Sequence, residues 1–177
     1  VIQFAVDQRE KDLLGGHVIA PGTLLVTERI GEHASRFRTS YPVTLYSCLV
    51  NRIRIFPRPF SGPSTPRKGD AQSVLRITLQ TLAPDKSFAN FDLDHLRFYV
   101  AIPNFEKAAQ LIELVTSQAL EVVIRGSDAD APPHVLSPEH VVPVGFAPED
   151  AILPGADRSF PGDRLLTEYF VLLQNFL

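Results

Sequence analysis

Two carboxylates and a histidine lie together in one short segment, Asp92-Leu93-Asp94-His95. If the segment is extended, Asp92 and Asp94 share a face, because successive side chains of a strand point to opposite faces. These residue types are those of an acid–base pair or of a site for a hard cation. The segment also comes between Phe91 and Leu96, just before a predicted strand, where aspartates commonly form turns and caps. We favour the turn and keep a hydrolase fragment that uses Asp92, Asp94 and His95 as the weakest hypothesis.

The other residues that could do chemistry are isolated from one another. The chain has five histidines, none of them two or four positions from another: His17, His33, His95, His134 and His140. Asp128 and Asp130 lack the further oxygen ligands of a calcium-binding loop. Cys48 is the single cysteine, so it has no disulfide partner within the chain, and no Gly-x-Ser-x-Gly motif is present. The sequence therefore predicts no catalytic residue, no cofactor and no metal.

Composition limits the class of protein that can position these residues. The chain has 177 residues, of which 45% are hydrophobic and 21% are charged. These proportions are typical of a soluble globular domain and exclude disordered, collagen-like and coiled-coil classes. No apolar run approaches the roughly 20 residues of a membrane-spanning helix. One cysteine favours a reducing, cytoplasmic setting, and the first residue, Val1, with the apolar C-terminal stretch leads us to expect a piece of a longer protein.

Short β-strands dominate the predicted secondary structure. Fifteen prolines and ten glycines predict many short elements joined by turns. Apolar and polar residues alternate in five segments, which we predict to be strands: 1–7, 35–46, 48–56, 73–82 and 96–102. Pro21-Gly22 has the residues of a type II turn. Residues 57–70 contain four prolines and predict an exposed loop.

Two amphipathic helices are predicted, one between strands and one at the C-terminus. The first covers about residues 104–118, with Asn104 as its N-cap and apolar residues at the helical period. The second runs from about Asp163 to the end. Its apolar stripe is predicted to be buried against this module, an absent domain or a partner, and comprises Leu165, Leu166, Tyr169, Phe170, Leu173, Phe176 and Leu177. The polar positions Arg164, Thr167, Glu168 and Gln174 are expected away from that stripe.

These elements predict a mainly β, α+β fold. We expect antiparallel sheets that resemble a β-sandwich, with one amphipathic helix between strands and a C-terminal helix. Two parts are expected along the chain. Residues 1–130 form a β-rich module that contains the helix at about 104–118, and residues 131–177 form a proline-rich strap and the C-terminal helix.

Positive charge is concentrated in one segment of an acidic protein. The formal net charge is −3, yet residues 29–68 carry eight positive side chains against the single acid Glu32. Arg36 and Arg38, like Arg52 and Arg54, are two positions apart, so each pair is expected on one face of a strand. Because no aromatic side chain is expected between the arginines on the same face, we favour a solvated strand surface over a phosphate site.

The order of several motifs resembles the TssF (VasA or ImpG) family of bacterial type VI secretion system baseplate subunits. The resemblance extends over nearly the whole chain. It includes Pro21-Gly22-Thr23 and the later Phe37-Arg38-Thr39. Its most specific part is Gly145-Phe146 followed by Arg164-Leu165-Leu166-Thr167-Glu168-Tyr169-Phe170.

The resemblance implies a structural assembly protein without catalytic residues. It implies that two TssF copies clasp one TssG-like subunit in a wedge, which TssK and TssE join, in the bacterial cytoplasm at a baseplate docked on the inner-membrane complex. Neither nucleic acid binding nor membrane insertion is expected. The candidate interface residues are Arg36, Arg38, Arg52, Arg54, Leu165, Leu166, Tyr169, Phe170 and Phe176. The alternative is a binding module for nucleic acid or for an acidic partner that uses the basic segment 29–68.

Overall fold

A computed structural model describes residues 2–7, 13–29, 31, 33–83, 85–128, 130–153 and 160–171. The chain divides into two compact units. The first unit contains the described residues of Val1–Leu49, Gln80–Phe98 and Val144–Phe176, and the second contains those of Val50–Leu79 and Tyr99–Pro143. The division at residue 130 that the composition predicts remains a prediction.

Short antiparallel strands form two small sheets in the first unit. Strand β1 (His17–Ile19) pairs with β4 (Val43–Leu45), and β2 (Leu24–Val26) pairs with β3 (Arg36–Arg38). Gly16, just before β1, has a φ of 76°, and a Cβ there would lie 2.7 Å from Thr44 Cγ2. A glycine is required at this position both by the backbone conformation and by the close approach of β4.

The turn before β2 has the predicted type II character and is fixed by two threonines. Gly22 has a φ of 79°, and the Thr23 N–H donates to the Ala20 carbonyl at 3.4 Å. The Thr39 hydroxyl accepts from the Thr23 N–H at 3.0 Å and donates to the Ala20 carbonyl at 2.8 Å. The side chain that follows β3 therefore holds the turn that precedes β2.

Ser47 is the buried polar centre of the first unit. Its side chain is fully buried, and its Oγ accepts a hydrogen bond from the Leu13 N–H at 2.9 Å. The Ser47 carbonyl accepts from the Leu82 N–H at 2.8 Å. Phe91 of the same unit is also buried, and it stacks on Phe88 with ring centroids 5.2 Å apart. Backbone and side-chain hydrogen bonds thus supplement a small apolar core.

Strands β5 (Cys48–Pro57) and β6 (Ser73–Thr81) pair with each other and lie largely in the second unit. The loop predicted at 57–70 is confirmed, and the connection between the two strands covers residues 58–72. It is tied to Glu121, whose carboxylate accepts from the Thr65 hydroxyl and from the Arg67 N–H. The sequence pattern of the loop does not identify Glu121 as its partner, because that residue is more than fifty positions away.

The second unit also contains helix α1 (Phe105–Ser117) and the antiparallel pair β7 (Val122–Ile124) and β8 (His134–Leu136). Asn104 is the N-cap of α1, as predicted, and its side chain accepts from the Lys107 N–H at 3.0 Å. Ala108 is fully buried. Strand β8 was not predicted, because three residues after a proline pair are too few to show an alternating pattern.

Helix α2 (Pro161–Val171) is the second predicted helix, and it belongs to the first unit. The predicted extension through Leu173, Phe176 and Leu177 lies outside the described residues. Three 3₁₀ turns complete the secondary structure of the described residues: Phe88–Asn90, Pro138–His140 and Pro148–Asp150.

The mainly β, α+β class is confirmed, with the described strands arranged in four two-stranded sheets. Two predicted strands are wrong. Residues 2–7 and 96–102 form no strand, because a strand needs a hydrogen-bonded neighbour and alternation alone does not supply one. In the second segment Leu96, Val100 and Ile102 are half-buried while Phe98 is exposed, so the alternating pattern reflects partial burial without strand pairing.

Candidate interaction surfaces

Helix α2 turns a charged pair toward the protein. Glu168 is fully buried, and its Oε1 accepts from the Ile152 and Leu153 N–H groups, both at 3.0 Å. Its Oε2 accepts from Arg164 Nη1 at 3.3 Å, and the Arg164 side chain is only 12% exposed. A buried carboxylate with three donors is well compensated, since each hydrogen bond replaces lost hydration.

Arg164 also binds the chain that precedes α2. Its Nη2 donates to the carbonyl oxygens of Phe146 and Ala147 at 3.1 and 3.2 Å. Arg164 and Glu168 therefore bond to segment 146–153 at both of its ends. We call Arg164, Glu168 and the backbone groups they bind the polar seat of α2.

Asp150, which lies within the same segment, binds Gly145 and Arg97. Its Oδ2 accepts from the Gly145 N–H at 2.9 Å, and its Oδ1 accepts from Arg97 Nη2 at 2.6 Å. Burial raises the pKa of Asp150, but the hydrogen bond from Gly145 and the Arg97 guanidinium lower it by more, so the pKa lies below its ordinary value. Arg97 in turn lies over the Tyr41 ring, 4.8 Å from its centroid.

The face of α2 opposite the polar seat is apolar and exposed. Leu166 is 61% exposed and Phe170 is 77% exposed. They lie about half a turn around the helix from Arg164 and Glu168, because successive residues are about 100° apart. We call Leu166 and Phe170 the outer face of α2.

The sequence interpretation of this helix is therefore wrong in one respect. Arg164 and Glu168 lie away from the outer face of the stripe, as expected, but the burial expected of the stripe within this module falls instead on Arg164 and Glu168. Of the predicted stripe, Leu165 is half-buried, Tyr169 is 47% exposed, and Phe176 lies outside the described residues. The signal that could have found the seat is the opposite charges at i and i+4, which favour a side-chain pair on one helix face.

The two predicted arginine pairs belong to different units. Arg36 and Arg38 are exposed on β3 in the first unit, and Arg52 and Arg54 are exposed on β5 in the second. The basic segment 29–68 is therefore divided between two units.

Arg52 and Arg54 line a cavity of about 150 Å³ together with Phe56, Arg76 and Thr78. No aromatic side chain lies between Arg52 and Arg54, as expected, but Phe56 is two positions after Arg54 and faces the same way. Arg76 lies over the Phe56 ring at 4.9 Å. Sequence analysis missed Arg76, although it lies in a segment that was correctly predicted to be a strand.

The residues considered for chemistry are not gathered into a site. Asp92, Asp94 and His95 are all exposed, and their side chains form no hydrogen bond or ion pair with the residues that the structure describes. Within the same described residues, no group of three or more His, Cys, Asp and Glu side chains is placed to hold a metal ion. Cys48 is half-buried, and burial raises the pKa of its thiol. In the described part of the chain, neither helix has the length and apolar character needed to cross a membrane.

Comparison with known families decides the class of protein. The family model described as "Type VI secretion system, TssF" matches residues 1–177, the whole chain. The chain belongs to the TssF family.

A curated TssF relative supports this membership. The "Type VI secretion system component TssF1" of Pseudomonas aeruginosa is 34% identical over 185 residues, which cover 100% of this chain. The matched region is 29% of that relative, so this TssF-family chain spans less than a third of the relative's length.

A solved structure has the same fold. It is a cryo-electron microscopy structure of the type VI secretion system TssK-TssF-TssG baseplate subcomplex, matched with a TM-score of 0.72 at 22% identity. The match covers 95% of this chain and 30% of the chain in that structure.

The motifs that resemble the TssF family have structural roles in this chain. Gly145 and Phe146 contribute an N–H and a carbonyl to the segment that Asp150 and Arg164 bind. Thr23 and Thr39 fix the turn before β2. These motif residues position backbone segments and surfaces.

Proposed function

We propose that this chain is a segment of a non-enzymatic structural subunit of a type VI secretion baseplate, and that it acts through protein contacts. The observation that carries the proposal is the match to the TssF family over the whole chain. The exposed outer face of α2 supports it, because exposed apolar side chains that lie together often mark a protein contact.

The small number of buried apolar residues also supports a role in protein contacts. Three apolar residues are buried within the described part of the chain: Ala83, Phe91 and Ala108. Large hydrophobic side chains remain exposed on several strands, among them Ile53 and Ile55 on β5, at 59% and 60%. Such side chains become buried when a partner protein covers them in an interface.

The partner we propose for the outer face of α2 is a TssG-like wedge subunit. The solved structure with the same fold contains TssG and TssK beside TssF. We further propose two copies of the intact polypeptide per TssG-like subunit, with TssK and TssE joined to that wedge. The assembly would lie in the bacterial cytoplasm, docked at the inner-membrane complex.

Co-expression of the intact polypeptide with the TssG-like and TssK-like proteins of the same bacterium tests the proposal. We expect a stable complex on size-exclusion chromatography. The double variant Leu166→Asp and Phe170→Asp is expected to lose the TssG-like subunit. The matched control is Leu114→Asp, which places the same charge at a 57% exposed leucine of α1 and is expected to leave the complex intact.

Two outcomes contradict parts of this proposal. Elution of the wild-type polypeptide alone, with all partners folded and present, would exclude the assembly role. The substitution Phe170→Cys, combined with Cys48→Ala, reports on what covers the outer face. If its maleimide labelling is already slow without the TssG-like subunit, the polypeptide itself covers that face and the docking assignment is wrong.

A further inference from the structure

Three guanidinium groups line one cavity on the β5–β6 sheet. Arg52 and Arg54 come from alternate positions of β5, and Arg76 comes from β6. Phe56 and Thr78 complete the lining, which contains no acidic residue. We call Arg52, Arg54 and Arg76 with Phe56 the arginine cluster.

One arginine of the cluster is held in place. Arg76 Nη2 donates to the Ser61 carbonyl at 2.9 Å, and its guanidinium lies over the Phe56 ring at 4.9 Å. A guanidinium stacked on an aromatic face and bonded at one edge keeps its remaining N–H groups in a fixed direction.

The other two arginines have unused donors. The side chains of Arg52 and Arg54 form no hydrogen bond or ion pair with any residue that the structure describes. Arg97 and Arg164 differ, because their guanidinium groups reach the carboxylates of Asp150 and Glu168 at 2.6 and 3.3 Å. The cluster therefore holds like charges close together without a counter-charge, an arrangement that an anionic ligand would stabilise.

We infer that the arginine cluster binds a carboxylate-bearing segment of a partner protein. The inference rests on the proposed function only in taking the partner to be a protein. It also moves the basic site away from segment 29–68 as a whole, since Arg76 lies outside that segment and Arg36 and Arg38 belong to the other unit.

The size and chemistry of the cavity favour a carboxylate side chain over nucleic acid. The cavity of about 150 Å³ is a local site lined by five side chains, which suits one anionic group, whereas a run of nucleotides needs contacts spaced along its backbone. Guanidinium groups bind carboxylates through two parallel hydrogen bonds. Phe56 offers an apolar surface to the methylene groups of a glutamate.

The charge outside the basic segment also disfavours nucleic acid. The chain has a net charge of −3 even though residues 29–68 are strongly positive, so the remainder is acidic. A nucleic-acid duplex needs contacts with many phosphates along its length and meets repulsion from such a surface. A short acidic peptide needs only the local cluster.

Fluorescence anisotropy with two labelled probes tests the inference on the intact polypeptide at neutral pH and low salt. The probes are an oligoglutamate peptide and an oligodeoxythymidine of equal charge. We expect the peptide to bind more tightly. Replacing Arg52→Gln and Arg54→Gln together should weaken peptide binding about tenfold or more, the loss expected for charge-assisted hydrogen bonds.

A matched control separates the cluster from bulk charge. Arg36→Gln with Arg38→Gln removes the same charge at the same spacing from exposed positions of β3, and should change peptide binding by no more than about twofold. Arg54→Lys keeps the charge but loses the planar fork, so it should give an intermediate loss.

Three outcomes would overturn the inference: equal losses in the two double variants, tighter binding of the oligonucleotide than of the peptide, or no binding of the peptide at low salt. None of these outcomes depends on a TssG-like or TssK-like protein. The inference and the proposed function can therefore fail separately.

Discussion

Helices α1 and α2 are both amphipathic, yet they present opposite faces to the protein. In α1 the apolar residues Ala108, Ile112 and Val115 are buried or half-buried, while the charged residues Glu106 and Glu113 are exposed. In α2 the charged pair forms the polar seat, and the outer face is exposed. An amphipathic pattern thus predicts a helix but does not determine which of its faces the rest of the chain covers.

The difference has a physical basis in what each helix packs against. Segment 146–153 meets α2 with backbone N–H and carbonyl groups, and such groups need charged or polar partners when they are buried. Arg164 and Glu168 supply them. The apolar residues of α2 are then left on the opposite side, where a partner can cover them.

The largest effect is expected from removing the carboxylate of the polar seat. Glu168→Ala leaves Arg164 and the N–H groups of Ile152 and Leu153 without their acceptor. We expect a loss of about 3 to 5 kcal/mol in the free energy of unfolding, the range for breaking a buried ion pair on one side. Urea denaturation followed by circular dichroism measures it.

The control for this variant is the same substitution on the other helix. Glu113 is exposed on α1, and Glu113→Ala should change the free energy of unfolding by less than about 0.5 kcal/mol. Equal effects of the two substitutions would mean that α2 is not held by its charged residues.

Much of α1 could be predicted from the sequence, because its determinants are local. An asparagine three positions before the Lys107 N–H and an apolar period of 3.6 define the N-cap and the buried side. The polar seat could not be predicted with the same rules, since its partners lie fifteen or more positions before Glu168. Only the i, i+4 spacing of Arg164 and Glu168 can be read from the local sequence.

The arginine cluster, like the polar seat, depends on contacts that are distant in the sequence. Alternation along β5 placed Arg52 and Arg54 on one face, but it could not bring in Arg76, because strand pairing is a long-range property. The predicted strand at 96–102 failed for the converse reason. Leu96, Val100 and Ile102 are half-buried on one side, yet no strand among the described residues pairs with them.

A smaller effect is expected at the start of α1. Asn104→Ala removes the acceptor of the Lys107 N–H and should lower the free energy of unfolding by about 1 kcal/mol. Asn104→Asp is the matched control, since its carboxylate can accept the same hydrogen bond and favours the positive end of the helix dipole. If alanine and aspartate destabilise equally, the local cap does not determine α1, and the contrast between the helices weakens.

A still smaller difference in the free energy of unfolding is expected from pH, and it should affect the segment that binds α2 but not α1. The pKa of Asp150 is lowered in the folded protein, so its charged form stabilises the fold above the unfolded pKa of about 3.9. This contribution is lost as the pH falls through the lowered folded pKa. Because Arg97 is partly exposed, we expect less than about 1 kcal/mol.

Urea midpoints of the wild type and Asp150→Asn, measured from pH 7 to pH 3, test this expectation. The two midpoints should differ near neutral pH and converge in acid. Glu113→Gln on α1 serves as the control and should follow the wild type throughout. A difference for Asp150→Asn that persists unchanged at pH 3 would show that its charge has no part in holding segment 146–153.

The smallest effect on stability is expected from the outer face of α2, and it is the most informative about function. Leu166→Ala and Phe170→Ala together should change the free energy of unfolding of the intact polypeptide by no more than about 0.5 kcal/mol, because exposed side chains lose little when truncated. Ile112→Ala on α1 removes a half-buried side chain and should cost about 1 to 2 kcal/mol. If the α2 pair costs as much as Ile112→Ala, the polypeptide itself covers the outer face, and no partner is needed to explain it.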